Sequence, residues 1–324
     1  MLIAIGTLLI AAWGLFFALV LPGNYVAGTT TFGVGLAVTA FALGMRHAFD
    51  ADHIAAIDNT TRKLIGDNKD ASSVGLWFAL GHSTVVLVAV GLISAGLSAF
   101  TAQIDDDASP IGAFTGVWGP TVSSIFLLLI GTVNLIALVR IVRRRGLVHV
   151  GGEYQTEPMS GGLVMRALVK VNGSLDRPWK MYVVGLLFGL GFDTASTIVL
   201  LLVTGGAGIV MPWYAAMVLP LLFTAGIVTC DGLNSIVMSR AYMWTIGRPR
   251  SRTYYNLALI GISVAVAFSV GIVGLSDVFV DVLNVNANPI RTVAGTDLNY
   301  FGFIVVGLLI SVWAVSYLIS RVRR

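Results

Sequence analysis

The ionisable residues with the clearest chemical potential lie together in one otherwise apolar stretch. Positions 46 to 58 read RHAFDADHIAAID, and six ionisable side chains fall within it: Arg46, His47, Asp50, Asp52, His53 and Asp58. Two imidazoles combined with carboxylates suit Ni²⁺, Co²⁺, Zn²⁺ or Cu²⁺, whereas Mg²⁺ and Ca²⁺ prefer shells made of oxygen alone. The residue types therefore predict a binding site for a transition-metal cation.

The spacing of these residues limits how one ion could be held. On a straight α-helix each residue advances by about 100°, so His47, Asp50 and His53 spread over about 120° of one side. Asp52 points elsewhere on such a helix. A single ion that contacts His47, Asp52 and His53 therefore needs a kink, a non-helical turn or a donor from another helix, such as His82.

A few more polar residues interrupt other apolar stretches. They are His82, Asp193 followed by Thr194, and Asp231 followed one turn later by Asn234. An ionisable side chain inside a bilayer is costly unless it is paired, hydrated or liganded. Structural interpretations stay open: His82 could donate to a backbone carbonyl, Asp193 and Thr194 could form a hydrogen-bonded pair, and Asp231 with Asn234 could clamp two helices or line a path.

The elements that position these residues are predicted from composition. Of 324 residues, 56% are hydrophobic and 11% are charged, against about a quarter charged in soluble domains. Stretches of about 20 apolar residues predict transmembrane helices. They indicate an all-α, polytopic membrane protein that forms a single integral membrane domain over residues 1–324. About eight spans are predicted, near residues 1–21, 32–58, 74–99, 117–139, 181–204, 213–236, 254–276 and 299–320.

The basic residues predict the orientation of these spans. All but two of the 20 Lys and Arg, the exceptions being Arg46 and Arg291, fall in segments assigned to one side, above all in a basic loop at about 140–180. Because short cytoplasmic loops are rich in Lys and Arg, we expect this loop and both termini to be cytoplasmic, in a multi-pass protein of the plasma (inner) membrane. Membrane topology accounts for the positive charge, so no nucleic-acid partner is expected.

Four short motifs resemble those of the nickel/cobalt transporter (NiCoT) family. Residues 46–63 read RHAFDADHIAAIDNTTRK and contain an H-x-x-x-x-D-H pattern, and residues 80–86 read LGHSTVV. Residues 190–196 read LGFDTAS, and residues 223–255 have the spacing of the fourth motif, with RAYMWT followed by YYN. The resemblance spans about 210 residues and implies a secondary permease that takes up Ni²⁺ or Co²⁺ as its transported substrate, with no permanently bound cofactor.

The residues and the resemblance together give two sets of candidate site residues. The expected metal ligands are His47, Asp50, Asp52, His53 and His82. The expected translocation path is lined by Asp193, Thr194, Asp231 and Asn234. Two positions depart from the family's pattern, because Thr197 and Asn234 stand where acidic residues are expected, and this lowers the negative charge predicted for the path.

Other functions are weighed against the permease. An intramembrane metal-dependent enzyme would need a general base beside the metal, but there is no H-E-x-x-H pattern and the only glutamates, Glu153 and Glu157, lie in the basic loop. A metal sensor or accessory subunit is a further alternative. No G-x-x-x-x-G-K-[ST] pattern is present, so no nucleotide is expected, and no obligate protein partner is inferred. The divalent metal cation and the lipid bilayer are the expected partners.

Overall fold

The fold is helical over most of the residues that the structure describes. The computed structural model describes residues 1–27, 30–94, 110–145, 175–190, 212–246, 253–283, 288–296 and 301–322. Within these ranges the only strands are the two-residue segments β1 (Val26–Ala27) and β2 (Thr30–Thr31), which pair antiparallel. The prediction of an all-α architecture is confirmed apart from this short ladder.

The α-helices follow the apolar stretches of the sequence. Their bounds are α1 Leu2–Leu15, α2 Val34–His47, α3 Ala51–Gly66, α4 Val74–Ser94, α5 Pro110–Arg145, α6 Met181–Gly189, α7 Trp213–Ala216, α8 Val218–Ile246, α9 Thr253–Leu283, α10 Asn288–Ala294 and α11 Phe301–Val322. After α1 the chain continues through a π-helical turn, Phe16–Val20, and a 3₁₀ turn, Leu21–Gly23.

Several of these helices have the length and composition of membrane spans. Among the described residues, five segments are long and apolar enough to cross a bilayer: Leu2–Gly23, Val74–Leu92, Val117–Val139, Trp213–Met243 and Leu257–Val280. Each lies on one of the predicted stretches. The total of about eight spans and the cytoplasmic orientation of both termini stay predictions.

The outer face of the helices is apolar, unlike the surface of a soluble protein. Large apolar side chains are exposed along the helices, among them Ile3, Ile10, Val88, Val237 and Ile304. The interior is mostly apolar as well, but it also holds polar and ionisable side chains, among them His53, Asp58, Asn59, His82 and Asp231. Lipid tails are as apolar as these exposed surfaces, so the arrangement fits a protein whose outer face contacts a bilayer.

The second predicted span is broken at its polar centre. Instead of one helix over 32–58, the structure has α2 ending at His47 and α3 beginning at Ala51. Asp50 precedes α3 with extended backbone angles, φ −65° and ψ 144°, as is usual for the residue that begins a helix. The turn changes the direction of the chain between the two histidines of the cluster.

Close helix crossings hold this broken span in place. A Cβ atom added to Gly44 of α2 would collide with the carbonyl of Phe223 on α8, and one added to Gly226 of α8 would collide with the carbonyl of Phe41. Small residues let helix backbones approach closely in membrane proteins. The glycine pair therefore fixes α2 against α8 one turn before His47.

Candidate metal site

Three histidines from three helices converge in the interior. One ring nitrogen from each of His47 (α2), His53 (α3) and His82 (α4) lies within 4.8 Å of the corresponding atoms of the other two. The ring centroids are 4.7 Å apart for His47 and His53, 4.9 Å for His47 and His82, and 4.7 Å for His53 and His82. The turn after α2 brings His47 and His53 together, and α4 adds His82. A single straight helix could not bring such a set of ligands to one point.

The spacing of the nitrogens is close to that of ligands on one ion. Zinc–imidazole bonds are about 2.0–2.1 Å long, so two nitrogens on such an ion lie about 3.0 Å apart at a right angle and about 4.2 Å apart when opposite. The Nε2 atoms of His47 and His82 are 3.1 Å apart. An inward movement of about half an ångström would bring all three nitrogens within reach of one ion.

His47 is held by an aspartate from the turn between α2 and α3. Its Nδ1 lies 2.7 Å from Oδ2 of Asp50, and the two side chains are 18% and 39% exposed. Because the Asp50 carboxylate bonds to the imidazole, it does not cap α3 with a side-chain hydrogen bond. The same turn therefore breaks the helix and orients one imidazole.

His53 is held by an aspartate from a distant part of the sequence. Its Nδ1 lies 3.1 Å from Oδ2 of Asp231 on α8, and neither side chain is exposed. The other ring nitrogen, Nε2, is buried and has no hydrogen-bond partner among the described residues. A buried polar atom normally has a partner, so this nitrogen is available to an ion.

His82 enters the cluster because α4 packs closely against α6. A Cβ atom added to Gly81 would collide with the carbonyl of Tyr182, and one added to Gly185 would collide with the carbonyl of Phe78. Tyr182 also shares a hydrogen bond of 2.9 Å with Thr84, one half-turn beyond His82. These contacts set the depth and rotation of the α4 segment that carries the third imidazole.

The remaining predicted site residues have different surroundings. The Asp52 carboxylate accepts a hydrogen bond of 2.9 Å from the backbone N–H of His53, so one of its oxygens is used inside the first turn of α3. Asn234 is half-buried on α8, one turn beyond Asp231. Asp193 and Thr194 lie outside the described residues. The structure thus brings together His47, Asp50, His53, His82 and Asp231.

A second buried polar group lies further along α3. Both carboxylate oxygens of Asp58 accept hydrogen bonds, one from the Tyr242 hydroxyl on α8 and one from the Ser263 hydroxyl on α9, each of 2.5 Å. On the next residue, Oδ1 of Asn59 accepts from Asn134 on α5. Asp58 belongs to the original polar cluster, but single hydroxyls in apolar helices gave no sequence signal for its partners.

The end of α3 contacts the end of the basic loop. The Lys63 ammonium donates to the carbonyl of Leu175 at 2.7 Å and to the Asp67 carboxylate at 3.1 Å. Just beyond Leu175, the Lys180 ammonium pairs with Asp176, and this hydrogen bond lowers the pKa of the Asp176 carboxyl. The basic residues at this end of the bundle are therefore partly neutralised by nearby acids.

These features define a class of protein: an all-α membrane protein whose apolar helices enclose a buried, histidine-rich polar centre. Residues 33–319 match the profile of the NicO family, described as high-affinity nickel-transport protein, and the chain belongs to this family. The family and the curated relatives are transporters rather than enzymes, as the sequence predicted.

Three relatives show how far the similarity extends. The chain is 42% identical over 321 residues to the nickel transporter NicT of Mycobacterium tuberculosis, covering 97% of this chain and 86% of NicT. It is 35% identical over 294 residues to the high-affinity nickel-transport protein NixA of Helicobacter pylori (strain 26695), covering 88% and 87%. It is 34% identical over 309 residues to the cobalt transport protein NhlF of Rhodococcus rhodochrous, covering 93% and 86%. No solved structure matches the chain significantly.

Proposed function

We propose that the protein is a secondary permease that imports Ni²⁺ or Co²⁺ and binds the ion at His47, His53 and His82. The convergence of these three imidazoles in the interior is the observation that carries the proposal. Imidazole nitrogens suit late transition metals, and the buried position excludes a simple solvent-exposed cation site. The metal is the transported substrate and not a resident cofactor.

The choice of metals rests on chemistry and on the relatives. Relatives named as nickel transporters and one named as a cobalt transporter cover most of this chain. Ni²⁺ and Co²⁺ are both bound well by nitrogen ligands supplemented with carboxylate or water. We therefore propose that either ion is accepted, with Asp50 and Asp52 adding negative charge around the imidazoles.

The proposed route and topology follow from the predicted spans. We place the single permease domain, residues 1–324, in the plasma (inner) membrane with about eight spans, and we place both termini and the loop at about 140–180 in the cytoplasm. The path would continue past the imidazoles along α8, with Asp231 and Asn234, and along the segment that contains Asp193 and Thr194.

The membrane potential is a sufficient energy source for this uptake. A negative interior attracts each unit charge with about 2.3 kcal/mol per 100 mV, hence about 4.6 kcal/mol for a divalent ion. This corresponds to about three decades of accumulation. The alternative, coupling to protons, would draw on the protons that a metal displaces from its ligands.

Uptake measurements on paired histidine variants test the proposal. Cells that lack other nickel importers would express the wild type, His82→Ala or His149→Ala, and accumulation of radioactive nickel would be measured at trace concentration. We expect His82→Ala to reduce uptake to background while His149→Ala, a matched change in the basic loop, transports like the wild type. Wild-type uptake by His82→Ala at equal membrane abundance would contradict the site.

A further inference from the structure

Two carboxylates face the same nitrogen of two different imidazoles. Asp50 lies at Nδ1 of His47 and Asp231 lies at Nδ1 of His53. We infer that Asp231, and in the same way Asp50, is a positioning residue that fixes the tautomer of its histidine and leaves Nε2 to bind the ion. The inference rests on the proposed metal site, and it replaces the path-lining role of Asp231 with one that acts on the metal through His53.

A hydrogen bond with Asp231 engages one nitrogen of His53. Oδ2 of Asp231 lies at Nδ1 of the ring, and with the carboxylate ionised the shared proton is on Nδ1, because an ionised carboxylate can only accept a hydrogen bond. A neutral imidazole carries one proton, and the lone pair is then on Nε2. That atom is the one that is buried without a hydrogen-bond partner among the described residues.

The same argument applies to His47 and extends to His82. When His47 is neutral and donates from Nδ1 to Asp50, its Nε2 is an acceptor, and His82 then donates across the 3.1 Å contact between their Nε2 atoms. In the metal-free protein His47 and His53 thus have their Nε2 lone pairs set by carboxylates. When His47 is neutral, His82 carries its proton on Nε2, and binding an ion through that nitrogen requires the proton to move.

The position of Asp231 supports a role in orienting the imidazole of His53. Its Oδ2 contacts Nδ1 of His53 and not Nε2, and its Oδ1 is buried without a hydrogen-bond partner among the described residues. The backbone of Asp231 is also confined, because a Cβ atom on Gly75 of α4 would collide with the Asp231 carbonyl, and Ser235 on α8 donates to the carbonyl of Ser72. Contacts between α4 and α8 therefore hold the carboxylate where it orients His53.

Carboxylates that hydrogen-bond to metal-binding histidines have an effect of known size on metal affinity. Such partners fix the ring orientation and raise the basicity of the ligand, and their loss lowers metal affinity about 10- to 100-fold. Asp231→Asn keeps the shape of the side chain but can donate as well as accept. We therefore expect His53 in this variant to populate both tautomers and to bind the ion more weakly.

Nuclear magnetic resonance of nitrogen-15-labelled histidine tests the tautomers directly. The chain has four histidines, so the spectrum is simple, and His53→Ala identifies the signals of His53. In metal-free protein we expect His53 to be protonated at Nδ1 in the wild type and to shift toward the Nε2-protonated form in Asp231→Asn. A wild-type His53 protonated at Nε2 would overturn the inference, and a purely structural role for Asp231 would leave the tautomer unchanged.

Metal binding and X-ray absorption on the same purified proteins separate positioning from ligation. With Ni²⁺ as the probe, we expect Asp231→Asn to bind about 10- to 100-fold more weakly than the wild type with the same number of imidazole ligands. Asp67→Asn, which removes an exposed carboxylate at the end of α3, is the matched control and should bind like the wild type.

The possible failures are distinguishable. If the spectrum of Asp231→Asn shows loss of a bound oxygen, Asp231 is a ligand and the inference is wrong while the metal site stands. If the affinity of Asp231→Asn is unchanged, the positioning role is wrong. If wild-type protein binds Ni²⁺ without imidazole ligands, the proposed metal site itself fails.

Discussion

At the scale of single residues, the three imidazoles differ in their access to solvent. His53 is fully buried and His82 is 4% exposed, whereas the His47 side chain is 18% exposed and its partner Asp50 is 39% exposed. The cluster thus has one accessible side. We expect an ion to meet His47 and Asp50 first and to reach His53 last.

Proton competition at these ligands leads to a pH prediction. A protonated imidazole cannot bind a metal, and free histidine titrates near 6.5. Binding is therefore present when external pH is above the imidazole pKa and is lost below it, so we expect initial nickel uptake to fall as pH decreases from about 7.5 to 5. Uptake would be measured at a constant free-metal concentration and constant membrane potential. A flat profile would indicate that the histidines are structural.

At the scale of elements, α3 is the helix that connects the polar groups. It is buried along most of its length and contacts α4, α5, α8, α9 and α11. Its side chains bond to α8 at two levels, through His53 with Asp231 and through Asp58 with Tyr242. A substitution that breaks one of these two contacts is therefore expected to shift the residues of the other contact.

The hydrogen bond between Tyr242 and Asp58 can be tested by removing one hydroxyl. A hydrogen bond to a charged group contributes about 1.5–3 kcal/mol to stability, against about 0.5–1.5 kcal/mol for one between neutral groups. We expect Tyr242→Phe to lower the free energy of unfolding more than Tyr182→Phe, whose hydroxyl bonds to Thr84. Thermal denaturation in detergent would measure both. An equal or reversed order would show that Asp58 does not depend on Tyr242.

The close crossing of α4 and α6 leads to a second prediction for the elements. Because a Cβ atom on Gly81 overlaps the backbone of α6, we expect Gly81→Ala to force the helices apart and displace His82. Thermal stability and Ni²⁺ affinity should both fall. Gly6→Ala on α1, where a Cβ atom meets nothing within 4 Å, is the matched control. Unchanged affinity in Gly81→Ala would mean that the crossing does not position the imidazole.

At the scale of the whole molecule, a few ionisable groups are enclosed by apolar helices. Apolar side chains cover the outer face of the helices and fill most of the interior, and His53, Asp58, His82 and Asp231 are buried among them. Such an arrangement lets a chain cross a bilayer and still offer polar ligands to an ion. The family and its relatives, which are nickel and cobalt transporters, have a function that requires both properties.

The predicted orientation can be tested by labelling single cysteines. Because the chain has one native cysteine, Cys230→Ser gives a cysteine-free background. In intact cells we expect a membrane-impermeant maleimide to label Asp106→Cys but not Arg166→Cys, since the chain around Asp106 has no Lys or Arg whereas the loop that contains Arg166 is basic. After lysis both should react. Labelling of Arg166→Cys alone in intact cells would reverse the proposed topology.

Much of the site was predictable from local sequence. Apolar runs of bilayer length determine where helices form, because only internally hydrogen-bonded backbone is stable in lipid. Histidines and aspartates inside such runs mark functional positions, since their burial is costly. His47, His53 and His82 were predicted as metal ligands and Asp231 as a path residue by this reasoning, and the need for a turn or an outside donor followed from helix geometry.

Only the tertiary structure showed which of these residues meet and which atoms they use. Asp231 reaches His53 across 178 positions, and Tyr242 reaches Asp58 across 184. Neither pairing has a spacing that the sequence reveals, because the distance between helices and their rotation depend on close crossings at Gly44, Gly75 and Gly81 with partners far along the chain. Side-chain types are local properties of a sequence, whereas the ring nitrogen that faces an ion is decided by how the helices pack.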